Sequence, residues 1–92
     1  MWGSDYPHKE SSAPYSREAM RAAFAGVPHD EVALMLGFNA AALYGFDLDL
    51  LAPFAAQFGP LVSDTDHPLQ PGELPIEAYK CPAFAGQPAR VA

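Results

Sequence analysis

Ten of the 92 residues are proline, and their placement divides the chain. A proline fixes φ and removes a backbone donor, so neither a helix interior nor a central strand passes through one without cost. Up to Pro60 the prolines leave windows long enough for helices. From Leu61 onward, Pro68, Pro71, Pro75, Pro82 and Pro88 follow at short intervals, with no sustained period of 2 or 3.6 between them. The spacing predicts a mainly α segment over residues 1–60 and an extended, Pro-rich carboxyl-terminal tail over 61–92. Leu61, Val62, Leu69, Leu74, Ile76, Tyr79 and Phe84 make that tail too apolar for a solvated linker. It is expected to drape over another surface, whether or not that surface lies in this chain.

Within the first segment, Met20, Ala23, Phe24 and Val27 recur at helical spacing, with Ser16 as the expected N-cap and Glu18 in the first turn. This predicts a helix over Arg17–Ala25, stopped by Gly26 and Pro28. A second helix starts at Pro28, where the missing N–H has no partner to lose, and turns Val32, Met35 and Leu36 inward. Gly37 is expected to break it, with Asn39 capping a further short helix that Gly45 closes. Asp49 is the expected cap of a last helix carrying Leu51, Phe54, Ala55 and Phe58, with Pro53 in its first turn and Gly59-Pro60 as its stop. Met1–Ser4 leave room for only the tip of a strand.

Half of the residues are hydrophobic and 12% aromatic, which excludes a solvating disordered chain. A formal net charge of −6 and the absence of any basic cluster argue against nucleic acid as a partner. No apolar run approaches the length of a membrane span, and no secretory signal pattern is present. The single Cys81 suits a reducing compartment, and a cytoplasmic location is the expectation.

The chemistry-bearing stretch is "DYPHKESSAPYS", a loop rich in proline and hydroxyl residues. Asp5 and His8 alone are also what a turn-forming aspartate and a surface histidine produce. Their position is what gives them weight: a loop running from a strand tip to a helix is where barrel enzymes place catalytic groups.

"WGSDYPH", the hydroxyl-rich loop with Pro14 and Ser16, the helix "REAMRAAFAGV" and "DEVALMLGFNAAALYGFD", taken in that order, resemble the carboxyl end of the amidohydrolase-related family. Its members are metal-dependent hydrolases and decarboxylases on a (β/α)8 barrel, and the likeness spans about Met1 to Gly59. The resemblance implies that Ser4-Asp5-Tyr6-Pro7 ends the eighth strand. It further implies that Asp5 is the catalytic carboxylate that ligates or faces the metal, and that His8 and Glu10 line the substrate mouth. The implied cofactor is a divalent ion of the zinc type, which lowers the pKa of bound water and needs an anionic oxygen beside it. The other ligands, mainly histidines beginning with a His-x-His on an early strand, are not in this sequence. A complete barrel runs to about 250 residues. The chain is therefore expected to be the last strand tip, last helix and carboxyl-terminal extension of such an enzyme, with Met1 internal to a longer parent. It should be inactive without the rest of the barrel, which an upstream polypeptide would supply. The complete enzyme would take a small-molecule substrate, and a homo-oligomer is the other assembly considered.

His29 reads as a helix-start residue and His67 as a turn residue. The Asp64-x-Asp66-His67 cluster lacks the glycine and distal glutamate of a calcium loop. Trp2 could wall either the barrel interior or the pocket. The rival reading is a small non-catalytic helical interaction module, with Met20, Phe24, Val32, Leu36, Tyr44 and Phe54 packed into a core and an apolar tail gripping a partner.

Overall fold

The structure is a computed structural model that describes residues 1–86; the last part of the expected tail, 87–92, lies outside the described residues. Helix α1 (Ser16–Phe24) forms where its apolar spacing predicts. Ser16 is the first helical residue and not its cap: its hydroxyl lies 2.9 Å from that of Ser12, and Tyr15 occupies the cap position without a side-chain bond. The helix ends as Ala25 N–H reaches the Arg21 carbonyl and Gly26 turns at φ 82°, a region open to glycine because it has no Cβ to clash.

Helix α2 (His29–Ala33) starts after Pro28, with Asp30 and Glu31 in its first turn, where acidic side chains complement the helix dipole. The break expected at Gly37 does not occur. A π-helical turn, Leu34–Phe38, carries the chain directly into α3 (Asn39–Tyr44). Asn39 has helical angles, φ −63° and ψ −43°, and caps nothing. The wider turn absorbs Gly37 without ending the helix, and Met35, inside it, accepts a hydrogen bond from Trp2 N–H at 2.9 Å. Gly45 then closes α3 in the left-handed region, φ 72°, with its N–H on the Ala41 carbonyl.

Helix α4 (Leu48–Phe58) is capped by Asp47, not Asp49: Asp47 Oδ1 accepts from Leu50 N–H at 3.1 Å. Pro53 therefore falls beyond the first turn, where its missing N–H leaves the Asp49 carbonyl without its helical donor. Gly59 and Pro60 end the helix as expected.

Beyond Pro60 the chain is a string of 3-10 turns, Val62–Asp64, Pro71–Glu73, Ile76–Lys80 and Pro82–Phe84. Two of them begin at a proline, which suits a first helical position. This segment folds back onto α1. Ala19, fully buried, packs with Leu69, Ala78 and Phe84, and Trp2, Tyr15 and Ala22 close the rim of that cluster. On another side, Phe24 at the end of α1 and Val27 just beyond it meet Val32 of α2 and Leu36 of the π-helical turn around an apolar cavity of about 110 Å³, which Leu61 and Val62 also line.

Two parts of the expected architecture differ. Residues 1–4 join no ladder, and no strand exists among the described residues, since a lone strand tip has no neighbour to bond with. The compact core of the rival module does not form either, because Tyr44 is 63% and Phe54 57% exposed. No described helix is long and apolar enough to cross a membrane.

Candidate functional site

The loop between Trp2 and α1 is held by its own backbone. Ser12 N–H donates to the Ser4 carbonyl at 2.9 Å and closes the base, while His8 N–H to Asp5 O, Ser11 N–H to His8 O and Tyr15 N–H to Ser12 O turn the chain in between. Ser4 Oγ also accepts from Tyr6 N–H. Ser4 thus satisfies a nearby backbone donor with its short hydroxyl side chain where no ladder is available.

Asp5 stands at the first bend of this loop with φ 63°, and among the described residues it is the one non-glycine with positive φ. Aspartate tolerates this region better than most residues, and such conformations gather at functional sites because surrounding structure must enforce them. Asp5 Oδ2 lies 3.5 Å from His8 Nδ1, with the two side chains 70% and 55% exposed. The same His8 nitrogen receives Glu10 N–H at 3.4 Å. An anionic oxygen and an imidazole are thus adjacent and open to solvent, an arrangement able to accept and hold a proton.

The three residues singled out by the sequence are neighbours but do not share one surface. Asp5 and Glu10 border a hollow of about 250 Å³ whose far wall is Cys81, Pro82 and Ala83 of the tail. His8 borders a different hollow, with Tyr6, Glu77 and Lys80. Trp2 also lines the Asp5 hollow, while its ring packs against Phe24 at 5.9 Å between centroids. Nothing local in the sequence announces that Cys81–Ala83 reach this place, because the contact spans most of the chain.

A second cluster brings His29, which the sequence treats as a helix-start residue, to the Asp66-His67 pair. Asp66 stands between two imidazoles, Oδ2 3.7 Å from His29 Nε2 and Oδ1 3.3 Å from His67 Nδ1. Neither this cluster nor the Asp5 loop assembles a metal site: among the described residues no three His, Cys, Asp or Glu side chains form a group that could hold an ion.

The family model described as Amidohydrolase matches residues 1–46, half of the chain and the part that carries the Asp5 loop, α1 and the helix through α3. The chain belongs to the amidohydrolase family. No curated protein and no solved structure matches it. Membership places this amidohydrolase chain among hydrolases that generally use divalent metals. A catalytic zinc takes three protein ligands, and Asp5 with His8 offers two donors. The described residues therefore do not by themselves fit such an ion.

Proposed function

We propose that this chain is the carboxyl-terminal portion of a metal-dependent hydrolase of the amidohydrolase superfamily, acting by hydrolysis or the related decarboxylation. Asp5 is its catalytic carboxylate. The remaining ligands of a divalent ion, zinc by family resemblance, come from residues outside this sequence, on an upstream barrel polypeptide. What supports this reading is one observation: within the family-matched segment, Asp5 occupies a left-handed bend that presents its carboxylate to solvent beside His8. His8 and Glu10 flank the substrate mouth, Glu10 on the same hollow as Asp5 and His8 as its ion-pair neighbour.

In this reading the chain's residues act on protons and position. Asp5 Oδ2 accepts a proton in the reaction, and His8 Nδ1, within 3.5 Å, stabilises the carboxylate when its ring is protonated. The isolated chain turns over no substrate and holds zinc weakly. Calorimetric titration with zinc chloride, together with turnover of a chromogenic ester, tests this. Stoichiometric tight binding accompanied by turnover would remove the reading. Co-expression with an upstream polypeptide that carries the His-x-His should yield a complex by size exclusion whose activity vanishes in Asp5→Asn. Full activity of that variant would remove the assignment of Asp5.

The second reading, a non-catalytic interaction module, is favoured by a different observation. The large apolar side chains from Leu43 to Val62 stand in solvent, which is expected of a docking surface.

A further inference from the structure

We infer that the apolar cavity between the end of α1, α2 and the turn Val62–Asp64 binds a small aliphatic amine, its apolar body inside and its ammonium group on the Asp66 carboxylate at the rim. This cavity shares no lining residue with the Asp5 hollow, and the inference does not rest on the role given to Asp5.

The walls are in place before any ligand arrives. Phe24, its ring set against Trp2, stands with Val27, Val32 and Leu36 on the half-buried side, while the exposed Leu61 and Val62 form the outer lip. That lip is fixed by its own turn, in which Leu61 N–H donates to Asp64 Oδ2 at 2.8 Å and Asp64 N–H to the Leu61 carbonyl at 2.9 Å. Water gains little here, since a water held in a cavity needs polar partners, whereas apolar walls stay dry and take an apolar guest. A cavity of about 150 Å³ holds benzene. The volume of about 110 Å³ therefore suits a slightly smaller body, a branched chain of about five carbons.

The rim sets the charge of the ligand. His29 and Asp66 line the same cavity, with Asp66 Oδ2 3.7 Å from His29 Nε2 and Oδ1 3.3 Å from His67 Nδ1. Among the described residues no Lys or Arg lines the cavity, and Arg17 of α1 pairs with Asp64 at 4.0 Å. Thr65, also on the cavity, spends its hydroxyl proton on the Val62 carbonyl at 3.2 Å. Asp66 thus brings a carboxylate to the edge of apolar walls with no fixed cation on it. A ligand carboxylate would meet like charge there, and a neutral ligand would leave that charge unmatched. An ammonium group meets it with a charge-assisted hydrogen bond, beside walls that weaken solvent screening. Apolar walls with a few convergent polar groups are the usual form of a small-molecule site.

The test uses the purified full chain, isotope-labelled for NMR and titrated at neutral pH with isopentylamine, isopentanol, isovalerate and methylamine. Isopentylamine should shift the amides of Val27, Val32, Leu36, Val62 and Asp66 with a dissociation constant of about a millimolar or below. Isopentanol has the same body without the charge and should bind at least about fivefold more weakly. Isovalerate, with the opposite charge, and methylamine, without the body, should each bind at least about tenfold more weakly. Asp66→Asn should bring isopentylamine to the affinity of isopentanol and leave isopentanol unchanged. The comparison of amine with alcohol on the natural chain does not depend on that variant folding. No saturable shift with isopentylamine, equal affinities for amine and alcohol, an amine preference retained in Asp66→Asn, or shifts centred on the Asp5 loop would each overturn the inference.

Discussion

The guanidinium of Arg21 is bound at four points by the tail. It meets both carboxylate oxygens of Glu73, Nη2 to Oε1 at 3.0 Å, and donates to the carbonyls of His67 and Pro68 at 3.1 and 2.8 Å. Arg21 is buried in α1, so this contact fixes where residues 67–73 lie and, through them, how Leu69 and Phe84 reach Ala19. Charge-assisted bonds of this two-point kind are stronger than neutral ones. Arg21→Ala leaves the carbonyls of His67 and Pro68 without this donor and the Glu73 carboxylate with only the Gln70 N–H, and should cost about 2 kcal/mol of unfolding free energy. Arg21→Lys cannot reproduce the fork and should recover only part of it. Urea denaturation followed by circular dichroism measures both.

The same pair makes stability depend on pH. The hydrogen bond from Arg21, followed by that from Gln70 N–H, lowers the Glu73 carboxyl from the ordinary 4.5 to about 2, while the bond to Glu73 raises the Arg21 pKa further. A carboxyl whose pKa is lower in the folded state stabilises the fold fully above its unfolded value. That contribution is lost as pH falls from about 4.5 towards 2 and the unfolded chain binds the proton more readily. Denaturation midpoints measured across this window should fall more steeply for the natural sequence than for Glu73→Gln. Equal slopes would show that the pair contributes nothing.

Asp5 separates backbone from charge. Its φ of 63° is one that asparagine also tolerates and a β-branched residue does not. Asp5→Asn should keep stability within about 0.5 kcal/mol of the natural chain, whereas Asp5→Val should cost about 1–2 kcal/mol from strain alone. Thermal unfolding distinguishes them. A large loss in Asp5→Asn would mean that the carboxylate is structural, through His8, and would weaken its assignment to catalysis.

Much of the helical half is legible from local signals because local chemistry decides it. The span of α1, the start after Pro28 and the stops at Gly45 and Gly59-Pro60 follow from glycine and proline geometry and from apolar spacing. Gly37 misleads, since a glycine near an asparagine imitates a stop followed by a cap, while the chain instead takes one wide turn that local propensity does not encode. The tail is legible in its lack of long elements but not in its destination. Arg21 looks like one of a few scattered basic residues until a partner 52 positions away reaches it. The candidate site divides the same way: Asp5, His8 and Glu10 are neighbours by sequence, whereas the wall formed by Cys81–Ala83 is a product of the tail's return.

The cap of α4 turns one such misreading into a measurement. Both Asp47 and Asp49 precede an apolar run, and sequence pattern alone does not separate them. The geometry does: Asp47 has extended angles, φ −81° and ψ 102°, and its Oδ1 takes the Leu50 N–H, while Asp49 lies within the first helical turn. A capping oxygen satisfies a donor that has no partner in the helix. Asp47→Ala should therefore cost about 1 kcal/mol, and Asp47→Asn, which keeps the acceptor, should restore most of it. Asp49→Ala loses only a favourable charge near the helix amino terminus and should cost about 0.5 kcal/mol or less. Chemical denaturation of the three variants at one pH compares them directly. An Asp49→Ala loss larger than that of Asp47→Ala would place the cap two residues later and shorten α4 accordingly.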